Sequence, residues 1–145
     1  MLPDRPPILT YTMPLRSRYS ETDKMGVVYY SRYLEYFEVI RTEFIRKAGL
    51  PYAEMERNGV MLPVAGVDVR YKQPIRYDEL MDCRLMIYDE PTVKLVTWYD
   101  IRPAGAPRPA VLGRVDLVFV DMATRRPIRV PPSFLKRIHD YAAMA

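Results

Sequence analysis

The chain has 145 residues, 49% hydrophobic and 28% charged, enough for one globular domain around a single core and a tight fit for two. Its one cysteine, Cys83, excludes an internal disulfide framework and any CxxC redox or zinc motif, which fits a reducing compartment with the cytoplasm as the default. Its one histidine, His139, excludes a multi-imidazole metal site or a histidine relay; net charge is +4 without a basic tail, and the 17 Arg among 22 cations give a weak hint of an anionic ligand.

Residues 1–9 carry three prolines and little periodicity, so a loosely held arm is expected there, followed by one domain over 10–145. The arm is too rich in proline and charge for a secretory signal. No stretch approaches the ~18 apolar residues of a membrane span, so membrane insertion is not expected. From Thr10 to Ser20 a rough period of two predicts a strand, and Glu21 to Gly26 breaks it with turn-forming residues.

Residues 32–48 give the clearest helix. Tyr33, Leu34, Tyr36, Phe37, Ile40, Phe44, Ile45 and Ala48 fall in an arc about half the circumference wide, which predicts a helix embraced by its surroundings. Ser31 is the expected N-cap, and Gly49 followed by Pro51 supplies the stop. Arg41 lies inside the arc and must snorkel or meet a carboxylate. A short helix is expected over Pro51 to Asn58, and β structure from Val60 to Val130, with strands around 67–71, 81–87, 93–101 and 111–120. Their short turns favour antiparallel pairing. Pro132 to Ala143 closes the chain as a helix. The sum is an α+β domain in which one antiparallel sheet covers one long helix.

Chemistry concentrates in the loop ahead of that helix. Asp23 precedes Gly26, a residue that lets backbone approach a ligand, and then a helix start whose free N–H groups can polarise a carbonyl oxygen. A carboxylate and an oxyanion donor are two parts of an acyl-transfer site. The same Asp in a polar turn is also an ordinary Asx-turn residue, and Tyr29 and Tyr30 read equally as core packing at the helix entrance or as the lining of an acyl pocket.

The run Glu21-Thr22-Asp23-x-Met25-Gly26-Val27-Val28-Tyr29, with Tyr33-Leu34, Phe37-Glu38 and Arg41-Thr42-Glu43 after it, resembles the opening signature of the 4-hydroxybenzoyl-CoA thioesterase family of hotdog-fold proteins. It is most similar to the branch of acyl-CoA thioesterases associated with the Tol–Pal system. The stretch Tyr71-Lys72-x-Pro74-x-x-Tyr77-Asp78-Glu79 resembles the same family, and the likeness runs from about Leu15 to Val130.

The resemblance implies a curved antiparallel sheet wrapped around a long central helix, with two protomers joined edge to edge; homodimer and homotetramer both stay open. It implies that Asp23 is the catalytic carboxylate, attacking the thioester or activating water, and that the backbone N–H of Tyr30 polarises the carbonyl. Gly26, Val27 and Tyr29 would then border the acyl-CoA, and no metal or bound redox cofactor is called for, coenzyme A being part of the substrate. One departure is Tyr30, where that branch commonly carries histidine; a backbone donor survives the change and an imidazole role does not.

Arg70 and Lys72 on one strand face, or Arg125, Arg126 and Arg129 in a late turn, are the candidates for the coenzyme A phosphates. Two other readings stand beside the enzyme: a non-catalytic hotdog scaffold for an acyl ligand or protein partner, and a basic RNA-binding module. The second lacks any aromatic and basic motif on a defined strand pair, so no nucleic acid is expected as partner.

Overall fold

In a computed structural model, which describes residues 1–144, the helix of 32–48 forms as expected: α1 spans Arg32–Ala48. Tyr33, Tyr36, Phe37, Ile40 and Phe44 are its buried side chains, at the i, i+3, i+4 spacing that makes one face. Burying each is worth roughly 1.5–3 kcal/mol, which is why this face, more than intrinsic propensity, fixes the helix. Gly49 ends it in the left-handed region at φ 64°. Ser31 does not cap the start: its backbone is already helical (φ −76°, ψ −18°) and its hydroxyl makes no capping bond, because the turn closed by Arg32 N–H to the Tyr29 carbonyl leads straight into the helix.

Around α1 lies a five-stranded antiparallel sheet. Its strands are β1 (Leu9–Arg16), β3 (Val64–Tyr71), β4 (Leu80–Ile87), β5 (Lys94–Pro103) and β6 (Val111–Val118), in the spatial order β1-β4-β5-β6-β3. A two-residue pair, β2 (Val60–Met61) with β7 (Val120–Asp121), sits apart. The short helices are α2 (Tyr52–Arg57) and α3 (Pro132–Ala143), the latter as expected. Alternate residues of the strands face α1: Met81, Cys83, Leu85 and Ile87 from β4, Leu95, Tyr99 and Ile101 from β5, all in one core with Phe37 and Phe44. Phe37 stacks on Tyr99 with ring centroids 4.4 Å apart and presses on Gly113 of β6, where an added Cβ would lie 2.3 Å from the ring. This architecture is the hotdog.

Two boundaries differ from the sequence reading. The first strand stops at Arg16, because the Ser17 hydroxyl turns to the Arg76 carbonyl (2.6 Å) and accepts the Glu79 N–H (2.9 Å); a 3-10 turn, Tyr19–Glu21, follows in place of further strand. The stretch 111–120 is divided, its last part leaving the sheet to pair with β2. Arg41 meets no carboxylate among the described residues and lies instead beside the Tyr99 hydroxyl, lowering that phenol's pKa against the larger upward push of burial. Ahead of β1, Leu2 packs on Met86, Tyr88 and Trp98 of the outer sheet face, and Arg5 donates to the Tyr88 carbonyl (2.8 Å) and to Asp89 (2.7 Å). No described helix is long and apolar enough to cross a membrane.

Candidate active site

Asp23 occupies an exposed turn between the 3-10 segment and α1. Its Oδ1 accepts the Met25 N–H at 2.8 Å and the Val27 N–H at 3.4 Å, while its own N–H donates to the Val27 carbonyl at 2.9 Å. Gly26 closes the turn with φ 75°, a conformation that an L side chain would strain, and its carbonyl accepts the Tyr77 N–H at 2.9 Å. The Asx-turn reading of Asp23 is therefore correct for one oxygen. The other, Oδ2, has no hydrogen-bond partner among the described residues.

The loop is pinned on both sides. Thr22 bridges Val28, Val27 bridges Arg76, and Val28 N–H donates to the Ile75 carbonyl at 2.8 Å. Tyr29 N–H donates to the Glu21 carbonyl at 2.8 Å. The next amide, Tyr30 N–H, has no acceptor among the described residues, and it lies in the lead-in turn two residues before α1 begins. An unbonded N–H at the positive end of a helix is a ready donor to a developing oxyanion.

Asp23, Val28, Tyr29, Tyr30, Tyr33, Tyr71, Lys72, Gln73 and Pro74 line a cleft of about 370 Å³. Tyr29 and Tyr30 are 44% and 61% exposed with rings 4.6 Å apart, so they border the cleft and are not core. The Tyr71 hydroxyl donates to the Tyr30 carbonyl at 3.0 Å, bracing that peptide from β3. Burial pushes the Tyr33 phenol up to about 12; the Tyr29 phenol is raised chiefly by its hydrogen bond with Tyr30, and that of Tyr71 by burial. All three stay protonated at neutral pH.

Of the residues expected at the site, Asp23, Tyr29, Tyr30 and Lys72 come together in this cleft. Gly26 lies on the opposite side of the Asp23 turn, where Tyr19, Thr22, Lys24 and Tyr77 complete a second concavity, and Val27 lines neither, its place in the cleft being taken by Val28. Arg70 borders an adjoining cavity of about 420 Å³ with Asp68, Lys72, Trp98 and Arg114, so Lys72 links the two. Arg70 there pairs with Asp68 at 3.2 Å and Arg114 with Asp116 at 2.7 Å. Arg125, Arg126 and Arg129 follow β7 and line neither cavity, and His139 pairs with Glu90. Tyr33, Tyr71 and Arg114 were not singled out for the site from sequence; only pairing of β3 with β6 and the approach of both to α1 bring them in.

Residues 17–138 match the family described as the thioesterase-like superfamily. The chain is 36% identical over 118 residues, 81% of its length and 84% of the relative's, to YneP of Bacillus subtilis, whose name assigns it to the acyl-CoA thioesterases. It is 30% identical over 77 residues, 53% of its length and 58% of the relative's, to the acyl-CoA thioester hydrolase YbgC of Escherichia coli. Among solved structures, a DHNA-CoA thioesterase from Staphylococcus aureus superimposes with a TM-score of 0.81 at 31% identity, covering 93% of this chain and 92% of that one. With its fold, its Asp23 turn and a match over most of its length, the chain belongs to the thioesterase-like superfamily of hotdog proteins.

Proposed function

We propose that the chain is an acyl-CoA thioesterase that hydrolyses a thioester to a free acid and coenzyme A, with Asp23 as its reactive carboxylate. The observation that carries this reading is that one cleft is lined by both Asp23, one of whose oxygens has no partner among the described residues, and Tyr30, whose N–H has no acceptor among them. The names of relatives similar over most of the chain support the same activity. Kinship with the Tol–Pal-associated branch is the finer form of the proposal, and it rests on the motif from Glu21 to Glu43.

In the general-base route, Oδ2 takes a proton from water as the water oxygen adds to the thioester carbon; the carbonyl oxygen becomes an oxyanion held by Tyr30 N–H. The C–S bond then breaks, and the proton passes to the departing thiolate. In the nucleophilic route Oδ2 itself adds to the carbon, coenzyme A leaves as thiolate, and water cleaves the resulting anhydride. Both need the carboxylate charged and the N–H fixed, and neither calls for a metal or a bound cofactor. Tyr29 and Val28 would border the acyl group. Lys72 and Arg70 would meet the phosphates of coenzyme A, with Gly26 and Val27 shaping the turn.

A homodimer belongs to the same reading. β3 is an eight-residue edge strand with Val64, Val67 and Tyr71 about half exposed, and pairing it with a second copy would cover an edge that otherwise invites non-specific pairing. Tetramers would be dimers of such dimers. A cytoplasmic location follows from the substrate class and the single Cys83.

The deciding experiment assays purified protein against short-chain, long-chain and aromatic acyl-CoA thioesters. Wild type should turn over at least one, and Asp23→Asn should fold normally while losing activity by ~10² or more. Retained turnover would remove Asp23 from the mechanism. A wild type inactive on the whole panel that still binds acyl-CoA would make the chain a scaffold.

A further inference from the structure

Glu21 is a carboxylate only 5% exposed, two residues before Asp23, and the reaction written above does not use it. Its Oε1 accepts the Arg18 N–H at 2.8 Å and the Tyr36 hydroxyl at 2.9 Å; its Oε2 faces the Arg18 guanidinium at 3.3 Å. Tyr36 belongs to the buried face of α1, and its ring meets that of Tyr33, which lines the cleft, edge-on at 5.7 Å. The Glu21 main chain points the other way: its carbonyl holds Tyr29 N–H, one residue before the free amide of Tyr30. One residue thus grips α1 with its side chain and the lead-in turn with its backbone, and carries Asp23 on a two-residue tether.

We propose that Glu21 is a positioning residue that, through Tyr36, sets the Asp23 carboxylate against the Tyr30 N–H. The proposal rests on the reading of Asp23 as the reacting group. An apolar side chain at 21 would hold the 3-10 turn to the helix without desolvating a charge, and the only cation on Glu21 among the described residues, Arg18, is 75% exposed. What the carboxylate adds is direction: two donors on different elements, a backbone amide and a phenol on a helix, converge on one oxygen. Burial and Glu21 together push the Tyr36 phenol far above its ordinary value, so it donates throughout the pH range of catalysis. Placement matters at this scale, since a misplacement of about 1 Å can cost ~10² in rate.

The test compares Glu21→Ala, Glu21→Gln and the milder Tyr36→Phe with wild type by steady-state kinetics and by amide hydrogen exchange on the full chain. Glu21→Ala and Tyr36→Phe should lower kcat by roughly tenfold with KM within twofold, because substrate contacts are intact while the reacting pair is displaced. Exchange should quicken at residues 23–30 and stay unchanged in β5. Glu21→Gln, whose amide oxygen can accept both bonds of Oε1, should recover most of the rate and of the protection. Unchanged kcat, KM rising in step with falling kcat, or exchange quickened equally across the sheet would each overturn the proposal. If wild type hydrolysed no thioester, the functional reading would fail separately, and exchange at 23–30 would still decide whether Glu21 orders the turn.

Discussion

The outer face of β1, β4 and β5 holds a cavity of about 590 Å³ bordered by Thr12, Asp82, Asp100, Arg84, Arg102 and Gly105, larger than the Asp23 cleft and richer in charge. In the larger cavity Asp100 has only 5% of its side chain exposed, and both its oxygens are held by Arg102, at 3.1 and 2.5 Å; an Asp82 oxygen accepts the Gly105 N–H at 3.2 Å. Asp23 in the smaller cleft is solvated, and one of its oxygens is unbonded. A carboxylate clamped by a guanidinium is a structural brace, because both lone-pair faces are occupied and its charge is neutralised. A carboxylate tied by one oxygen is held in direction and keeps lone pairs open to a proton. The degree of hydrogen-bond saturation separates the two aspartates where cavity volume does not, since Asp23 also borders the concavity of about 630 Å³ on the other side of its turn.

The contrast breaks if the two aspartates behave alike on substitution. The largest effect expected is on stability: Asp100→Ala leaves Arg102, 22% exposed, without its partner and should cost roughly 3 kcal/mol in denaturant unfolding, with kcat/KM per folded molecule within twofold. Asp23→Asn should do the reverse, losing ~10² in activity with an unfolding midpoint close to wild type.

A smaller effect sharpens the chemistry of the cleft's rim. Lys72→Ala should raise KM for acyl-CoA several-fold with kcat unchanged, since contacts remote from the thioester bind ground and transition states alike. Arg70→Ala should do less, its charge being already shared with Asp68, and replacing Arg125, Arg126 and Arg129 should leave KM unmoved. Equal hydrolysis of a pantetheine thioester without the nucleotide would remove the phosphate contact altogether.

The smallest effect lies under the brace. The Cys83 thiol is pushed up to about 12, first by burial and then by the nearby charges of Asp82 and Asp100. A pKa raised on folding means that the unfolded chain gives up its proton first. This contribution to stability is therefore intact below about 9 and lost as pH climbs towards about 12. Urea midpoints measured from pH 8 to 11 should fall along that limb, less steeply in Cys83→Ala, and native protein should resist thiol alkylation at pH 8.

The helix and the sheet were legible because burial writes a period into the chain: α1 from the arc of Tyr33 to Phe44, β4 from Met81, Cys83, Leu85 and Ile87 alternating with Asp82 and Arg84. Pairs as short as β2 and β7 write none. The Ser31 cap failed because capping depends on the backbone angle at entry, which the preceding turn sets and residue type does not. At the site, Asp23, Gly26 and Tyr30 could be picked out since they are close in sequence. Tyr71 bracing the Tyr30 peptide is 41 residues distant, and Arg114 joins Lys72 only through the register of β3 on β6. The fate of Arg41 was open for a similar reason: its neighbour Tyr99 lies across the core on β5.

The contact between Phe37 and Gly113 works as a key in a slot. The bare backbone at 113 admits the ring so closely that even a methyl group would collide with it, and Tyr99 closes the other side. A rotation of α1 about its axis would have to carry Phe37 through one wall or the other, so the helix is indexed to the sheet within its first two turns. The cleft at its N-terminal end therefore has a fixed floor. Changes in the width of that cleft must come from the side chains on its rim, Tyr29, Tyr30, Tyr71 and Gln73, which can be exchanged for larger or smaller ones without resetting the core beneath them.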